Sequence, residues 1–390
     1  MQLTNFMRKI CLLGASGSIG TQTLDVMRKN STDFTLVAFS VGSKTRKIAH
    51  IINMYPDVKA ICIKDKNKVN YYQSKYPNIS VYSGDEGLLK LIDTEVDMVV
   101  NALVGFVGLK PTLYVLEKNK IICLANKEAL VVGGELVNDL LKKGYGKLYP
   151  IDSEHSAIKK CLMVDDHNIS KVMLTASGGA FRKLNRDQLK DVKAEDALKH
   201  PTWKMGNKIT IDCATMINKA FEVIEAHYLF GCPYSQIGIK LHDESMIHSY
   251  IVYKDGSMRL DISKPDMRNS IKLALYEFVT DFKTVKANSL EQFKDLHFHD
   301  FDSKRYPIVK LAKYVIEDKG TYGAVFNASN EVAVNAFLKD QIPFLAIEDI
   351  VNKLMKEHKN IIHPTYEQIA EIDAKTRQNA NELIKKWRKK

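Results

Sequence analysis

The chain has 390 residues, 45% of them hydrophobic and 26% charged, a balance that suits a soluble globular protein of two or three domains. Lys and Arg exceed Asp and Glu by 57 to 46, but the excess is dispersed; only Lys385-Lys386-Trp387-Arg388-Lys389-Lys390 is dense. This argues against a nucleic-acid binder and fits an anionic small-molecule substrate. Six scattered cysteines without a CxxC pair exclude a disulfide framework or zinc cluster and point to a reducing, cytoplasmic setting. The apolar stretch behind Arg8 and Lys9 is too short for a secretory signal, and the run from Met98 to Leu109 is too short to span a bilayer.

Strand-type runs come at Ile10 to Leu13, Phe34 to Phe39, Ala60 to Ile63, Met98 to Val100 and Ile121 to Leu124, with a sixth near Leu148 to Ile151. Helical stretches separate most of them, which predicts an α/β half with a Rossmann-like, doubly wound parallel sheet. Gly14-Ala15-Ser16-Gly17-Ser18-Ile19-Gly20 follows the first strand and opens a helix. Glycines three apart allow a tight turn and let the backbone approach a pyrophosphate at the helix N-terminus. The second strand runs into Ser40-Val41-Gly42-Ser43-Lys44-Thr45-Arg46, where an NAD site would place an acid. Two cations stand there instead and favour the 2′-phosphate of NADP(H), unless they merely begin a solvated helix. Asn126-Lys127-Glu128 lies just past a strand, where α/β sheets bind ligands, although a plain helix start explains it equally well.

Past Pro150 the pattern turns to α+β. Ile151-Asp152-Ser153-Glu154-His155-Ser156 follows a strand-like run. If the chain stays extended, Asp152 and Glu154 point to one side, and Glu222 adds a third carboxylate from a later helix. Such an oxygen-rich set suits Mg²⁺ or Mn²⁺ better than zinc. Taken alone, an Asp-x-Glu pair is more often an acidic helix N-terminus. Val172 to Ala176 reads as a strand leading into Ser177-Gly178-Gly179, either an anion-binding loop or a simple turn. His200-Pro201-Thr202-Trp203-Lys204-Met205-Gly206 sets an exposed-type aromatic in a Pro- and Gly-bounded loop. A helix from about Thr215 to Tyr228 puts Asn218 and Glu222 four apart on one face beside Lys219. A lysine and an amide can hold a phosphate, and a carboxylate there can hold a metal. Strands follow at Ile237 to Leu241, Ser249 to Tyr253 and Met258 to Ile262, the last two joined by a Lys254-Asp255-Gly256-Ser257 hairpin turn. Beyond a polar, aperiodic stretch the chain reads as helical to its end.

Together GASGSIG, NALVGFVGLKPT, LANKEALV, PIDSEHSAI, ASGGAFR, HPTWKMG, the Asn218-Lys219-x-x-Glu222 helix, Lys264-Pro265-Asp266-Met267-Arg268 and the Asn327-to-Leu338 run resemble the 1-deoxy-D-xylulose 5-phosphate reductoisomerase family over nearly the whole chain. The resemblance implies a homodimer with an NADPH-binding domain at 1–150, a catalytic and dimerisation domain at 151–283, a linker at 284–308 and a helical domain at 309–390. It implies isomerisation and reduction of 1-deoxy-D-xylulose 5-phosphate to 2-C-methyl-D-erythritol 4-phosphate, on the non-mevalonate route to isoprenoids. By motif match, Ser16, Gly17, Ser18, Ile19, Gly42, Ser43, Lys44, Asn126, Glu128 and Gly206 fall to the cofactor. Asp152, Glu154 and Glu222 match metal ligands. Lys127, Ser153, Glu154, Ser177, His200, Trp203, Cys213, Asn218, Lys219 and Glu222 fall to the substrate, with Glu154 and Lys127 nearest in role to proton transfer and Trp203 as a lid.

The chain departs from the family pattern at Cys213, where a serine is usual, and at His242-Asp243-Glu244, where His-Pro-Gln is usual. A position near a helix N-terminus should favour the Cys213 thiolate. A metal-free NADP-dependent dehydrogenase and a non-catalytic NADPH-binding protein are the competing readings; neither needs Asp152, Glu154 and Glu222 to converge.

Overall fold

Seven short strands build one parallel sheet: β1 (Arg8–Leu13), β2 (Phe34–Val41), β3 (Ala60–Ile63), β4 (Ser80–Ser83), β5 (Met98–Asn101), β6 (Ile121–Leu124) and β7 (Lys147–Pro150). Their order in the computed structural model, which describes residues 7–279, 293 and 295–387, is β4-β3-β2-β1-β5-β6-β7. The direction of winding reverses between β1 and β5, the kind of switch point at which open α/β sheets bind ligands. β4 was absent from the sequence reading for a plain reason. It is a four-residue edge strand with only Val81 fully buried, so it carries no apolar run.

The sheet belongs to the first of two compact units, Met1–Asn126, Val137–Asp152 and Met267–Thr280. Ile10, Leu12, Leu36, Phe39 and Val100 are buried in its core. Helix Met267–Leu275 returns to this unit from late in the chain: Ile271, Ala274 and Leu275 join the same core, and Arg268 Nε donates to Asp25 at 2.6 Å.

The second unit, Lys127–Leu136, Ser153–Asp266 and Asp281–Lys390, carries a mixed five-stranded sheet ordered β11-β10-β8-β9-β12. Its strands are β8 (Ile169–Ala176), β9 (Ile237–His242), β10 (Ile247–Tyr253), β11 (Met258–Ile262) and β12 (Phe298–Asp300). β10 and β11 pair antiparallel across the expected hairpin, and β8 runs parallel to β9. Helices Tyr322–Phe337, Ala346–Glu357 and Tyr366–Trp387 complete the unit. Phe221 and Phe326 meet edge to face in its core at 5.0 Å. Of the linker expected at 284–308, residues 284–292 and 294 lie outside the described residues. The remainder holds β12 and a 3-10 turn, Pro307–Lys310. Residues 388–390 of the basic tail also lie outside them.

Two local expectations change. The helix expected from Thr215 is two helices, Asn207–Thr215 and Ile217–Phe230, divided at Met216, whose φ of 66° is left-handed. The second helix therefore starts at Ile217, and Asn218, Lys219 and Glu222 fall in its first two turns. Asp152 and Glu154 are not on an extended strand either: helix Ser153–Leu162 begins between them.

Candidate active site

In the first unit the Gly-rich turn is built as its spacing demands. Gly14 has φ 87°, and a Cβ there would lie 2.5 Å from the Ala102 carbonyl oxygen. A Cβ on Gly20 would lie 2.3 Å from the Gly14 carbonyl oxygen, so only glycine lets helix Ser18–Lys29 seat on the turn. Ser40, near the end of β2, accepts from Gly14 N through its hydroxyl at 2.8 Å and from Ala15 N through its carbonyl at 2.9 Å. Ser16–Ile19 thus stand at a helix N-terminus, where backbone N–H groups lack intrahelical partners. Gly42, Ser43 and Lys44 are exposed just past β2. Asn126 is buried, and its side-chain nitrogen donates to the carbonyls of Leu103 and Gly105, shaping the loop after β5.

In the second unit the start of helix Ile217–Phe230 concentrates charge. Glu222 is 1% exposed. Its carboxylate accepts from Lys127 Nζ at 3.1 Å and from the side chains of Asn218 and Lys219. Lys127 also donates to Asn218 Oδ1 at 2.9 Å. Lys219 Nζ reaches Glu154 Oε1 at 3.2 Å and the Thr175 carbonyl at 2.5 Å. Burial disfavours the Lys219 ammonium, but Glu154 and Glu222 outweigh that and push its pKa up. Ser153 Oγ donates to the other oxygen of Glu154 at 2.7 Å. Asp152, which the chain itself joins to this helix start, completes a trio with Glu154 and Glu222 whose ligand oxygens lie within 4.8 Å of one another. Three carboxylates with no thiolate among them form a donor set for a hard cation.

A second cluster gathers at the end of β8. Gly178 and Gly179 both have positive φ, and a Cβ on Gly179 would lie 2.6 Å from the Cys213 carbonyl oxygen. Ser177 Oγ lies 3.0 Å from His200 Nε2 and accepts from Gly179 N at 3.2 Å. His200 Nδ1 accepts from Trp203 N at 3.0 Å, so a neutral ring carries its proton on Nε2 and donates to Ser177. Burial, with Arg182 nearby, holds that imidazole neutral by pushing its pKa down to about 4. The Ser177 hydroxyl, accepting twice, can point its own proton at an anion. Trp203 is half-buried rather than exposed, its ring 6.2 Å from that of His248.

The expectation for Cys213 is overturned. It sits near the C-terminal end of helix Asn207–Thr215, not at an N-terminus, and is half-buried. Burial first, and then the Glu222 charge, push the thiol well up, so it is protonated. Glu128 and Gly206, expected near a cofactor, belong to this unit. Glu128 is buried, which works against its charge, yet Lys208 at 3.0 Å holds its pKa down. Gly206 is exposed at the start of helix Asn207–Thr215.

Three residues of the clusters escaped the sequence reading. Lys208 bridges Glu128 and Asp212, the latter at 2.7 Å; its spacing of four from Asp212 on a helix was a readable signal. His155 places one ring nitrogen 2.9 Å from the Glu222 carbonyl oxygen and the other 3.1 Å from Glu225, bracing the turn that carries Glu222. Arg182 donates to the Asp243 carbonyl at 2.9 Å beside Ser177. No local pattern announced the last two.

Comparison with known proteins agrees along nearly the whole chain. Residues 10–134 match the family model for 1-deoxy-D-xylulose 5-phosphate reductoisomerase. Residues 148–230 and 262–379 match two models for C-terminal domains of that enzyme. A Bacillus cereus (strain AH187) 1-deoxy-D-xylulose 5-phosphate reductoisomerase is 45% identical over 381 residues, covering 97% of this chain and all of the relative. The Bacillus subtilis (strain 168) protein of the same name is 44% identical over 385 residues, with 97% and 100% coverage. Among solved structures, the Zymomonas mobilis reductoisomerase in complex with NADPH superposes with a TM-score of 0.88 at 33% identity, covering 97% of this chain and 99% of that one. A DOX-P reductoisomerase in complex with NADPH, fosmidomycin and magnesium gives 0.90 at 34%, with 97% and 98% coverage.

Proposed function

The chain belongs to the 1-deoxy-D-xylulose 5-phosphate reductoisomerase family, and on that premise we propose how its residues share the work of the enzyme. It is an NADPH- and divalent-metal-dependent oxidoreductase that converts 1-deoxy-D-xylulose 5-phosphate to 2-C-methyl-D-erythritol 4-phosphate in the non-mevalonate isoprenoid pathway. The observation that carries the reading is the trio Asp152, Glu154 and Glu222, gathered within 4.8 Å beside two buried lysines. A simple dehydrogenase has no use for such a cluster, since like charges held together are costly.

The residues fit both groups the reaction needs. The carboxylate trio would hold Mg²⁺ or Mn²⁺, and the tight Gly14–Gly20 turn, with exposed Gly42, Ser43 and Lys44, would hold NADPH. When bound, the metal supplies Lewis acidity at the substrate ketone and adjacent hydroxyl, and NADPH supplies hydride. Ser177, with Asn218 and Lys219, binds the phosphate; Cys213 contributes little, because a protonated thiol is a weak donor. Ser153 fixes the rotamer of Glu154 by donating to it. Glu154 and Lys127 move the protons that the carbon–carbon rearrangement requires. That rearrangement, most simply retro-aldol then aldol, leaves two fragments that must stay confined. The 200–206 loop with Trp203 serves as the lid, and phosphate binding energy can hold it closed.

We assign cofactor binding to residues 1–150, catalysis and dimerisation to 151–283, linkage to 284–308 and support to 309–390. We also infer a cytoplasmic homodimer that acts on a small sugar phosphate without nucleic-acid or membrane partners. No helix among the described residues is long and apolar enough to cross a membrane. Assay of 1-deoxy-D-xylulose 5-phosphate-dependent NADPH oxidation with and without EDTA tests the metal assignment, and sedimentation tests the dimer.

A further inference from the structure

Three cations follow β2 in quick succession, Lys44, Arg46 and Lys47, and only one of them is fastened to the Gly-rich turn. Lys44 and Arg46 are exposed. Lys47 is half-buried, and its Nζ donates to the Ser16 carbonyl at 3.2 Å and to Thr21 Oγ1 at 3.0 Å. Ser16 lies inside the turn, and Thr21 lies in the first helical turn that follows. An ammonium has three donors, and these two bonds occupy two of them.

The location carries the meaning. β1 and β2 are parallel neighbours, and Ser40 is hydrogen-bonded to Gly14 and Ala15. The end of β2 therefore lies against the Gly-rich turn. A dinucleotide-binding unit of this type places the adenosine ribose there, with an acid for a 2′-hydroxyl or a cation for a 2′-phosphate. Lys47 is already tethered to the turn at Ser16 and Thr21, so little side-chain entropy remains to be lost when its charge meets an anion. Lys44 and Arg46 would have to be immobilised from solvent.

Resting on the NADPH reading above, we propose that Lys47 is the principal residue selecting NADPH over NADH, its ammonium receiving the cofactor's 2′-phosphate across the Ser16–Thr21 edge of the turn. Lys44 adds a weaker, solvent-screened attraction.

The test compares Lys47→Met, Lys47→Arg and Lys44→Met, using NADPH and NADH as alternative reductants of 1-deoxy-D-xylulose 5-phosphate. Loss of one charge-assisted contact corresponds to roughly 10-fold or more in affinity. Lys47→Met should raise the NADPH KM by that factor, leave the NADH KM and both kcat values close to those of the unmutated chain, and so collapse the preference. Lys47→Arg should retain most of it, and Lys44→Met should change it only a few-fold. Adenosine 2′,5′-bisphosphate and 5′-AMP, titrated as competitors of NADPH, report the same contact without turnover. Only the bisphosphate should weaken in Lys47→Met. If Lys47→Met raises both KM values alike, or lowers the melting temperature with the NADPH preference intact, Lys47 merely braces the turn and the proposal is overturned. It is likewise overturned if Lys44→Met has the larger effect on the ratio. An unmutated chain without NADPH preference would instead refute the cofactor reading on which the proposal rests.

Discussion

Replacing Glu222 with Gln removes one charge from the cluster while keeping its shape, and the consequences can be worked through contact by contact. Lys127 pairs with Glu222, and Lys219 pairs with Glu154 and Glu222, so counting the three carboxylates against these two ammonium groups leaves the metal-free cluster one negative charge from balance. A divalent cation turns that into one positive charge. In the variant the same cation must enter a balanced site and leave two positive charges behind. Loss of a ligand together with that charge should weaken metal binding by at least about 100-fold, or about 2.7 kcal/mol.

Stability falls as well, but by less than for a lone buried pair. Breaking a buried pair typically costs about 3–5 kcal/mol. Lys219 keeps Glu154 at 3.2 Å and the Thr175 carbonyl, and Lys127 keeps Asn218 at 2.9 Å. We therefore expect a loss of about 2–3 kcal/mol in the metal-free protein. Mn²⁺ titration by calorimetry, melting curves with and without Mn²⁺, and turnover at limiting Mn²⁺ read these effects separately. NADPH affinity should survive, because the Gly14–Gly20 turn lies in the other unit. Full turnover of Glu222→Gln at limiting Mn²⁺ would refute the ligand assignment.

Trp203→Ala should reduce kcat by ten-fold or more while moving the melting temperature little, since the ring is only half-buried; a large drop in melting temperature with unchanged turnover would make it a core residue. Cys213→Ser replaces a poor donor with a good one at a neutral hydrogen bond worth about 0.5–1.5 kcal/mol, so KM should fall a few-fold at most with kcat unchanged. Because burial keeps the Cys213 thiol protonated, its alkylation near pH 7 should be slow, and rapid labelling seen by peptide mass spectrometry would contradict the packing described. His200 should make the fold acid-sensitive. Its folded pKa of about 4 lies below the ordinary 6.5, so the unfolded chain takes up the proton first. The resulting stability is full above about pH 6.5 and is lost as pH falls towards 4. For a ring only partly buried it amounts to no more than about 2 kcal/mol. His200→Asn should flatten that part of the pH–melting profile, and an unchanged slope would count against the neutral-donor role.

What the sequence disclosed and what it hid differ by physical scale. Strands buried on both faces announce themselves as apolar runs, and β3 and β6 begin and end at the residues read from the pattern. β4 hid because an edge strand needs few apolar residues. The Asn218–Glu222 spacing was legible because helical geometry alone brings residues four apart together. Where helices begin was less legible. The break at Met216 has no glycine or proline to mark it, and at Asp152 to Glu154 the pattern left extended chain and an acidic helix N-terminus both open, of which the helix start is the one observed. The carboxylates converge all the same, because the first turn of a helix can present Glu154 beside the preceding Asp152. Contacts made at long sequence separation, such as Lys208 with Glu128 or Lys47 with Ser16, leave no local trace and needed the fold to show them.

The most direct measurement is the decrease in NADPH absorbance when the purified, unmutated chain is mixed with 1-deoxy-D-xylulose 5-phosphate and Mg²⁺. NADPH should be consumed in step with the formation of 2-C-methyl-D-erythritol 4-phosphate, EDTA should stop the reaction, and added Mg²⁺ or Mn²⁺ should restore it. Oxidation that continues undiminished in EDTA, or that yields a reduced product with an unrearranged carbon skeleton, would contradict the assignment of Asp152, Glu154 and Glu222 to a metal that the chemistry requires.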